Sequence, residues 1–326
     1  MNTELLKVDP NAPDPAIVAR AAGRVRAGGL VAFPTETVYG LGANALDPAA
    51  VRRIFAAKGR PSSNPVIVHV ADPAQIGNVA ADWPATAARL AERFWPGPLT
   101  LVVAKQPGVP DEVTAGGPTV AVRCPDHPVA QALLRAAGVP VAAPSANRST
   151  ELSPTRAEHV MKGLGGRIDL ILDGGPCRGG IESTVVDVTG PVARLLRPGL
   201  ITVPMLEEVV GKVEASRERQ RPEEVARSPG QMAKHYSPRT KLRLVDGRDI
   251  VDDLLEASAG GFKAGLLPLH GANAMPGDPV AYAAELYHRL HELDEAGLDL
   301  ILVEQPPDTP EWAAVLDRLA RAAATA

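Results

Sequence analysis

The 326-residue chain has only two cysteines, Cys124 and Cys177, far apart and in different contexts. Two thiols so placed make neither a disulfide framework nor a zinc site, and they read as buried free thiols in a reducing compartment. The first residues, Met1-Asn2-Thr3-Glu4-Leu5-Leu6-Lys7, carry no signal-peptide core, and no apolar run approaches the ~20 residues of a membrane span. A cytoplasmic protein with no membrane partner is therefore expected. Charge of one sign is also scarce. The formal net charge is −4, so the surface lacks the basic field expected of a protein that grips many RNA phosphates. A local basic cleft is compatible with that balance.

Several chemical signatures are missing. No Gly-x-x-x-x-Gly-Lys-[Ser/Thr] supports a P-loop ATPase. No Gly-x-Ser-x-Gly elbow has credible triad partners, and the kinase signature set is absent. His288 and His291 lack the glutamate of a zinc-protease helix and read as solvated or packed side chains. No internal repeat or low-complexity block is evident.

What is present is an ordinary globular composition, 45% hydrophobic and 22% charged, with length enough for two domains and a real core. The 32 prolines are about twice the usual ~5% share and predict stiff loops.

Residues 53–69 organise the reading of the rest. A helix ends at Lys58-Gly59, where glycine can supply a left-handed closing turn. Arg60-Pro61 and Asn64-Pro65 force extended backbone, and Val66-Ile67-Val68 follows as a β-branched strand. Two cations on a stiffened turn suit an anion such as a phosphate or carboxylate; a solvated loop with incidental charges is the alternative. Upstream, strand 29–33 runs into Pro34-Thr35-Glu36-Thr37-Val38-Tyr39-Gly40-Leu41-Gly42. Its hydroxyls lie beyond the strand's carboxyl end, where open α/β sheets bind ligands, and Gly40 and Gly42 let backbone approach a ligand closely.

The periodicity predicts helices over 14–28, 47–58, 84–94 and 126–137, with strands over 66–70, 99–103, 119–123, 139–143 and 169–173. Alternation puts Thr119 and Arg123 on one face of their strand. Pro144-Ser145-Ala146-Asn147 again sets polar groups at a strand end, and Ser153-Pro154-Thr155 reads as a helix cap. Trp95-Pro96-Gly97-Pro98 reads as scaffold. Residues 216–227 are dense in charge and look like an exposed linker. They end in the more particular Ser228-Pro229-Gly230-Gln231-Met232-Ala233-Lys234-His235-Tyr236-Ser237-Pro238. From 241 the pattern restarts, with strands at 241–245, 263–267 and 299–303 between helices at 249–258, 279–296 and 310–323. This is a small Rossmann-like α/β unit without a Gly-x-Gly-x-x-Gly, so no dinucleotide site is expected there.

Taken together, the Thr35–Gly42 loop, Lys58, Arg60, Asn64 and Ser145-Ala146-Asn147 resemble the YrdC-like family over residues 15–205. The stretch from Gly230 to Pro238 fits its longer branch, the two-domain threonylcarbamoyl-AMP synthases. The resemblance implies an α/β fold: a YrdC-like twisted mixed sheet with helices around a central cleft, plus the smaller Rossmann-like domain. The expected division is a catalytic domain over 1–205, a linker with an active-site lid over 206–240, and the small domain over 241–326. The implied reaction joins L-threonine, bicarbonate and ATP into threonylcarbamoyl-AMP and pyrophosphate. The product would serve the machinery that transfers threonylcarbamoyl to tRNA adenosine; the sequence leaves direct tRNA binding open.

Carried over by motif position, Lys58, Arg60, Ser145 and Asn147 are the implied catalytic residues. Thr35, Thr37, His69, Arg123, Ala143 and Ser183 are implied to bind threonine, Arg123 through its carboxylate. Lys58, Arg60, Asn64, Thr119, Ser145, Ser153, Arg197, His235 and Tyr236 are implied to bind ATP. Fixed cations suit a reaction whose substrates all carry negative charge. No general base is assigned, because an amine and carbon dioxide react unassisted. Magnesium is expected with ATP, with no carboxylate cluster to name its ligands. Two other classes fit parts of the pattern. A non-catalytic RNA-binding module would use the same cations, against the slight net acidity. A related carbamoyl-adenylate-forming enzyme of the hydrogenase-maturation type would add acylphosphatase and zinc-finger-like segments, which this sequence lacks.

Overall fold

The computed structural model describes residues 2–215, 236–247, 250–271 and 273–324. Four helix starts share one chemistry, an acceptor side chain followed by proline. Asp14, Asp47, His127 and Asp278 each cap a helix by accepting a backbone N–H near its first turn, with Pro15, Pro48, Pro128 and Pro279 behind them. The helices so started are α1 (Pro15–Arg26), α2 (Pro48–Lys58), α5 (Pro128–Ala137) and α9 (Pro279–Glu295). Gly59 closes α2 in the left-handed region at φ 61°, as the sequence predicts.

The remaining helices are α3 (Ala85–Phe94), α4 (Asp111–Thr114), α6 (Ala157–Leu164), α7 (Val203–Val210), α8 (Ile250–Ala259) and α10 (Ala313–Ala323). The strands of the first part are β1 (Glu4–Lys7), β2 (Val31–Phe33), β3 (Gly40–Asn44), β4 (Ile67–His69), β5 (Leu99–Ala104) and β6 (Thr119–Arg123). They continue with β7 (Val141–Ala142), β8 (Leu170–Asp173), β9 (Thr184–Asp187), β10 (Ala193–Arg197) and β11 (Val213–Ala215). Among the described residues these form one mixed sheet in the order β1-β8-β2-β3-β7-β4-β6-β5-β9-β10-β11. The second part has β12 (Lys241–Val245), β13 (Ala264–Leu267) and β14 (Leu300–Glu304), parallel throughout in the order β12-β14-β13. The expected fold class is the one observed, and both cysteines are buried and unpaired.

Some boundaries move. The strand expected over 139–143 shrinks to β7. Ser153 does not cap a helix: α6 starts after Arg156 with no side-chain cap, because the Ser153 hydroxyl is bonded to Glu182. Gly40 and Gly42 belong to β3, a strand without β-branched residues that the sequence reads as a loop. A Cβ on Gly42 would lie 2.8 Å from Phe33 Cε1 and 2.9 Å from Val141 Cγ1, so this glycine serves sheet packing rather than ligand approach. Where the linker is expected to begin, α7 packs on the first part and β11 pairs in parallel with β10, so the first sheet runs on to residue 215.

The two parts share a core. Val38, Leu152 and Ile181 of the first cluster with Tyr282, Leu286 and Tyr287 of α9 and Leu319 of α10. Gly180, at φ 71°, lets α9 come so close that a Cβ there would sit 2.1 Å from the Ala283 carbonyl oxygen.

Candidate active site

A cleft of about 490 Å³, including its open mouth, is lined by side chains from both sides of the first sheet's centre. The loop after β2 supplies Thr35 and Thr37, β4 supplies Ile67 and His69, and β6 ends at Arg123. Ala143 and Ser145 follow β7, Glu182 and Ser183 precede β9, Arg197 ends β10, and Arg60 and Tyr236 complete the wall. Parallel pairing of β4 with β6 sets His69 directly beside Arg123.

The hydroxyls have defined proton directions. Thr35 donates to the Val38 carbonyl at 2.7 Å, so in its 2.8 Å contact with Thr37 it accepts. Thr37 thereby gives up its one proton and keeps lone pairs for a ligand. Ser183 Oγ contacts Thr100 Oγ1 at 2.7 Å and accepts from Arg197 Nη2 at 3.2 Å. Arg197 also donates to the Ser183 carbonyl at 3.0 Å and to Tyr236 Oη at 3.4 Å.

Charge is distributed unevenly. Arg123 is bound to Glu36 at 2.5 Å and donates to the Gly97 carbonyl at 3.3 Å, so the Trp95–Pro98 turn does hold a cleft residue in place. Arg60 donates, among the described residues, only to carbonyls, at 2.9 Å to Pro65 and 3.4 Å to Asn64. Among the described residues no salt bridge ties Arg60 or Arg197 to a carboxylate, and both line the cleft. Burial, with Arg197 adding repulsion, brings Arg60 down to about 10, which leaves it charged at neutral pH. Burial and then Arg123 lower His69 to about 3, so its imidazole is neutral, and its buried Nδ1 has no hydrogen-bond partner among the described residues.

Five expected residues do not line the cleft. Lys58 is buried, and its Nζ donates to the Ser145 and Asn147 carbonyls at 2.5 Å each and to Asn147 Oδ1 at 3.3 Å. Burial and then Arg60 pull its pKa well below the usual lysine value. The three oxygens oppose that shift, since only the ammonium has three protons to give. Lys58 and Asn147 thus brace the loop that presents Ser145. Asn64 offers its carbonyl to Arg60 from a buried position. Ser153 reaches the site only through Glu182. Thr119 begins β6, four residues or about 13 Å from Arg123 along the strand, which takes it out of the lining. His235 lies outside the described residues, as does most of the expected lid. Tyr236 is described, buried at φ 61° with its ring in the cleft. Residues that the sequence reading left without a role are Glu36 and Glu182. A buried Arg123 needs a counter-charge, and that requirement could have singled out Glu36.

Among the described residues no group of three His, Cys, Asp or Glu could hold a metal ion. The carboxylates at the cleft are already paired, so the side chains present do not fit a resident magnesium. His288 and His291 pack instead, with His159 stacked on His291 at 3.8 Å between ring centroids. No helix among the described residues is long and apolar enough to cross a membrane.

A buried, hydroxyl-lined cleft with two arginines that no described carboxylate pairs defines a class: an α/β protein built to bind anionic small molecules. A family model described as "Telomere recombination" matches residues 24–199, and one described as "Threonylcarbamoyl-AMP synthase, C-terminal domain" matches residues 201–324. The chain is 44% identical to the threonylcarbamoyl-AMP synthase of Bacillus subtilis, over 95% of this chain and 93% of the relative. It is 42% identical to that of Pyrococcus abyssi, over 93% and 92%. The crystal structure of P. abyssi Sua5 complexed with L-threonine superposes with a TM-score of 0.94 at 40% identity, covering 98% of both chains. The chain belongs to the Sua5/YciO/YrdC family.

Proposed function

We propose that this chain is an L-threonylcarbamoyl-AMP synthase, a nucleotidyltransferase that joins L-threonine, bicarbonate and ATP. Threonine's amine takes up carbon dioxide derived from bicarbonate, releasing water and forming a carbamate. A carbamate oxygen then attacks the α-phosphorus of ATP, its P–O bond forms as the bond to pyrophosphate breaks, and threonylcarbamoyl-AMP results. The observation that carries this reading is the pair Arg60 and Arg197, lining the cleft with no carboxylate partner among the described residues, beside Thr35, Thr37 and Ser183. The full-length similarity to threonylcarbamoyl-AMP synthases supports the same assignment.

In this reading Thr37 and neutral His69 receive the polar groups of threonine, and Arg123 directs its carboxylate, with Ala143 at the wall. Arg60, Arg197 and the loop with Ser145 hold phosphate oxygens where charge grows in the transition state. Lys58 and Asn147 position that loop. Tyr236 covers the nucleotide and keeps water from a mixed anhydride that would otherwise hydrolyse. Magnesium enters as the ATP complex, held by phosphate oxygens. The product passes, in the cytoplasm, to the machinery that modifies tRNA adenosine.

The test is pyrophosphate release from pure protein with ATP, labelled bicarbonate and either threonine or valine. Threonine is expected to support release at least about tenfold better, because a site built around a hydroxyl penalises its absence. Equal rates would remove the threonine assignment, and no amino-acid-dependent labelled adenylate would remove the reaction.

A further inference from the structure

Arg318, in the middle of α10, is fully buried, and it is the largest side chain with no exposure in the described protein. It leaves the second part of the chain and reaches into the first. Its Nε donates to Glu182 Oε2 at 2.7 Å, and its Nη2 to the carbonyls of Pro198 at 3.1 Å and Glu182 at 3.4 Å. Nη1 is held by Asp317 at 2.7 Å, and the guanidinium lies 5.2 Å from the centroid of the Tyr236 ring. Glu182 in turn accepts from Tyr287 of α9 at 3.2 Å and from Ser153 Oγ. It lines the cleft and is followed directly by Ser183, which takes the Arg197 fork.

A carboxylate in the wall of an anion-binding cleft is counterproductive unless its charge is answered nearby. Truncating the partner of a buried ion leaves an uncompensated charge. We propose that Arg318 is a positioning residue for the active site of the first domain. By answering Glu182 across the domain boundary, it lets the Glu182–Ser183 wall stand beside anionic substrates and gives the Tyr236 ring its cationic neighbour. The second domain therefore completes the site without contributing a group that touches the reacting atoms. This inference rests on the synthase reading above.

The role has a signature that a mere clamp lacks. Burial raises the Glu182 carboxyl, but Arg318 first and Arg197 second outweigh it, and the native group sits below the usual range. Removing Arg318 deletes the larger of these two lowering charges, so the carboxyl's pKa rises. In an Arg318→Met chain, Glu182 is then neutral at low pH, where it tolerates anions. It ionises as pH rises, where it repels them. Activity of that variant should fall with rising pH relative to wild type, and removing the carboxylate should abolish the fall.

The experiment measures threonine-dependent pyrophosphate release, with kcat and the KM for ATP, between about pH 6 and 9 in full-length protein. The chains compared are wild type, Arg318→Met, Arg318→Met/Glu182→Gln and Arg318→Lys. Arg318→Met is expected to lose at least about tenfold in kcat/KM for ATP at the alkaline end, and less at the acid end. The double variant should be pH-independent relative to wild type and recover most of that loss. Should Arg318→Met fail to fold, Arg318→Lys and the double variant decide the question. A pH-dependence like that of wild type, with most activity retained in both, supports charge compensation. A loss that is independent of pH and is not recovered by Glu182→Gln, in whichever chains fold, overturns the proposal. A wild-type chain that releases no pyrophosphate with threonine refutes the synthase reading. An active wild type with the contrary variant pattern refutes only the role of Arg318.

Discussion

Two buried arginine–glutamate pairs flank the cleft, and they differ in where their members come from. Arg123 and Glu36 both belong to the first domain, on β6 and on the loop after β2, 87 residues apart. The sheet that shapes the cleft also brings them together, and Glu36 is further fixed by the Asp126 N–H at 2.9 Å. Arg318 and Glu182 are 136 residues apart, and no strand pairing joins their elements. Their meeting depends on α9 and α10 docking against the first domain, through the close approach at Gly180 and the shared apolar cluster. One wall of the site is therefore intrinsic to a domain, and the other exists only while two domains are docked.

The largest effect should come from leaving one charge of either pair alone. Arg123→Met and Arg318→Met should each cost about 3–5 kcal/mol, and the corresponding Glu→Gln double variants should return most of it. Urea unfolding of the four chains measures this. If the doubles are no better than the singles, shape and not charge holds both walls.

An intermediate effect should come from pH, and it weighs on the docked side. His159 of α6 stacks on His291 of α9. Burial, with repulsion from His291 and His288, lowers His159 to about 3; burial, with Lys162 adding to it, lowers His291 to about 4. The unfolded chain, with histidines near 6.5, binds protons that the native chain refuses. Stability is thus fully present above about pH 6.5 and is lost as pH falls toward 4. His159→Gln should flatten that slope in unfolding midpoints followed from about pH 7.5 to 4.5. His69, lowered in the same direction, leaves part of the slope in place. An unchanged slope in the variant would show that the stack is not what titrates.

The smallest effect belongs to Lys162 and Glu295, which cross the same boundary as Arg318 and Glu182 with side chains 43% and 49% exposed. Lys162→Ala should change stability by no more than about 0.5 kcal/mol. A loss as large as that of Arg318→Met would erase the distinction between buried and exposed charge at this interface.

The intrinsic wall was the legible one. Thr35, Thr37, Arg123 and Ser145 stand out because polar groups follow short apolar runs, and strand ends are where ligands sit. Of the docked wall, Ser183 was legible as a polar group preceding such a run, and its neighbour Glu182 was not. Lys58 was read correctly as ending a helix, and its ammonium is found donating to the loop beside the cleft rather than lining it. The carbonyls that claim it belong to residues 145 and 147, and no local pattern announces them. Thr119 shows the limit of face-counting: it shares a side with Arg123, but the strand's length separates them. Arg318 was illegible for a simpler reason. Within Leu-Asp-Arg-Leu-Ala-Arg it looks like the wet face of an amphipathic helix, and only tertiary docking makes it the driest charge among the described residues.

The 136 residues between Glu182 and Arg318 also separate them in time. A ribosome adds about 5–20 residues per second, so roughly 7–27 s pass between the synthesis of the glutamate and that of its arginine. Domains generally fold as units during that interval, and the first sheet can close with Arg123 and Glu36 already joined. Glu182 waits with no counter-ion from α10. A newborn chain thus holds a folded domain with an unfinished site, and the emergence of α10 sets the moment at which that site is completed.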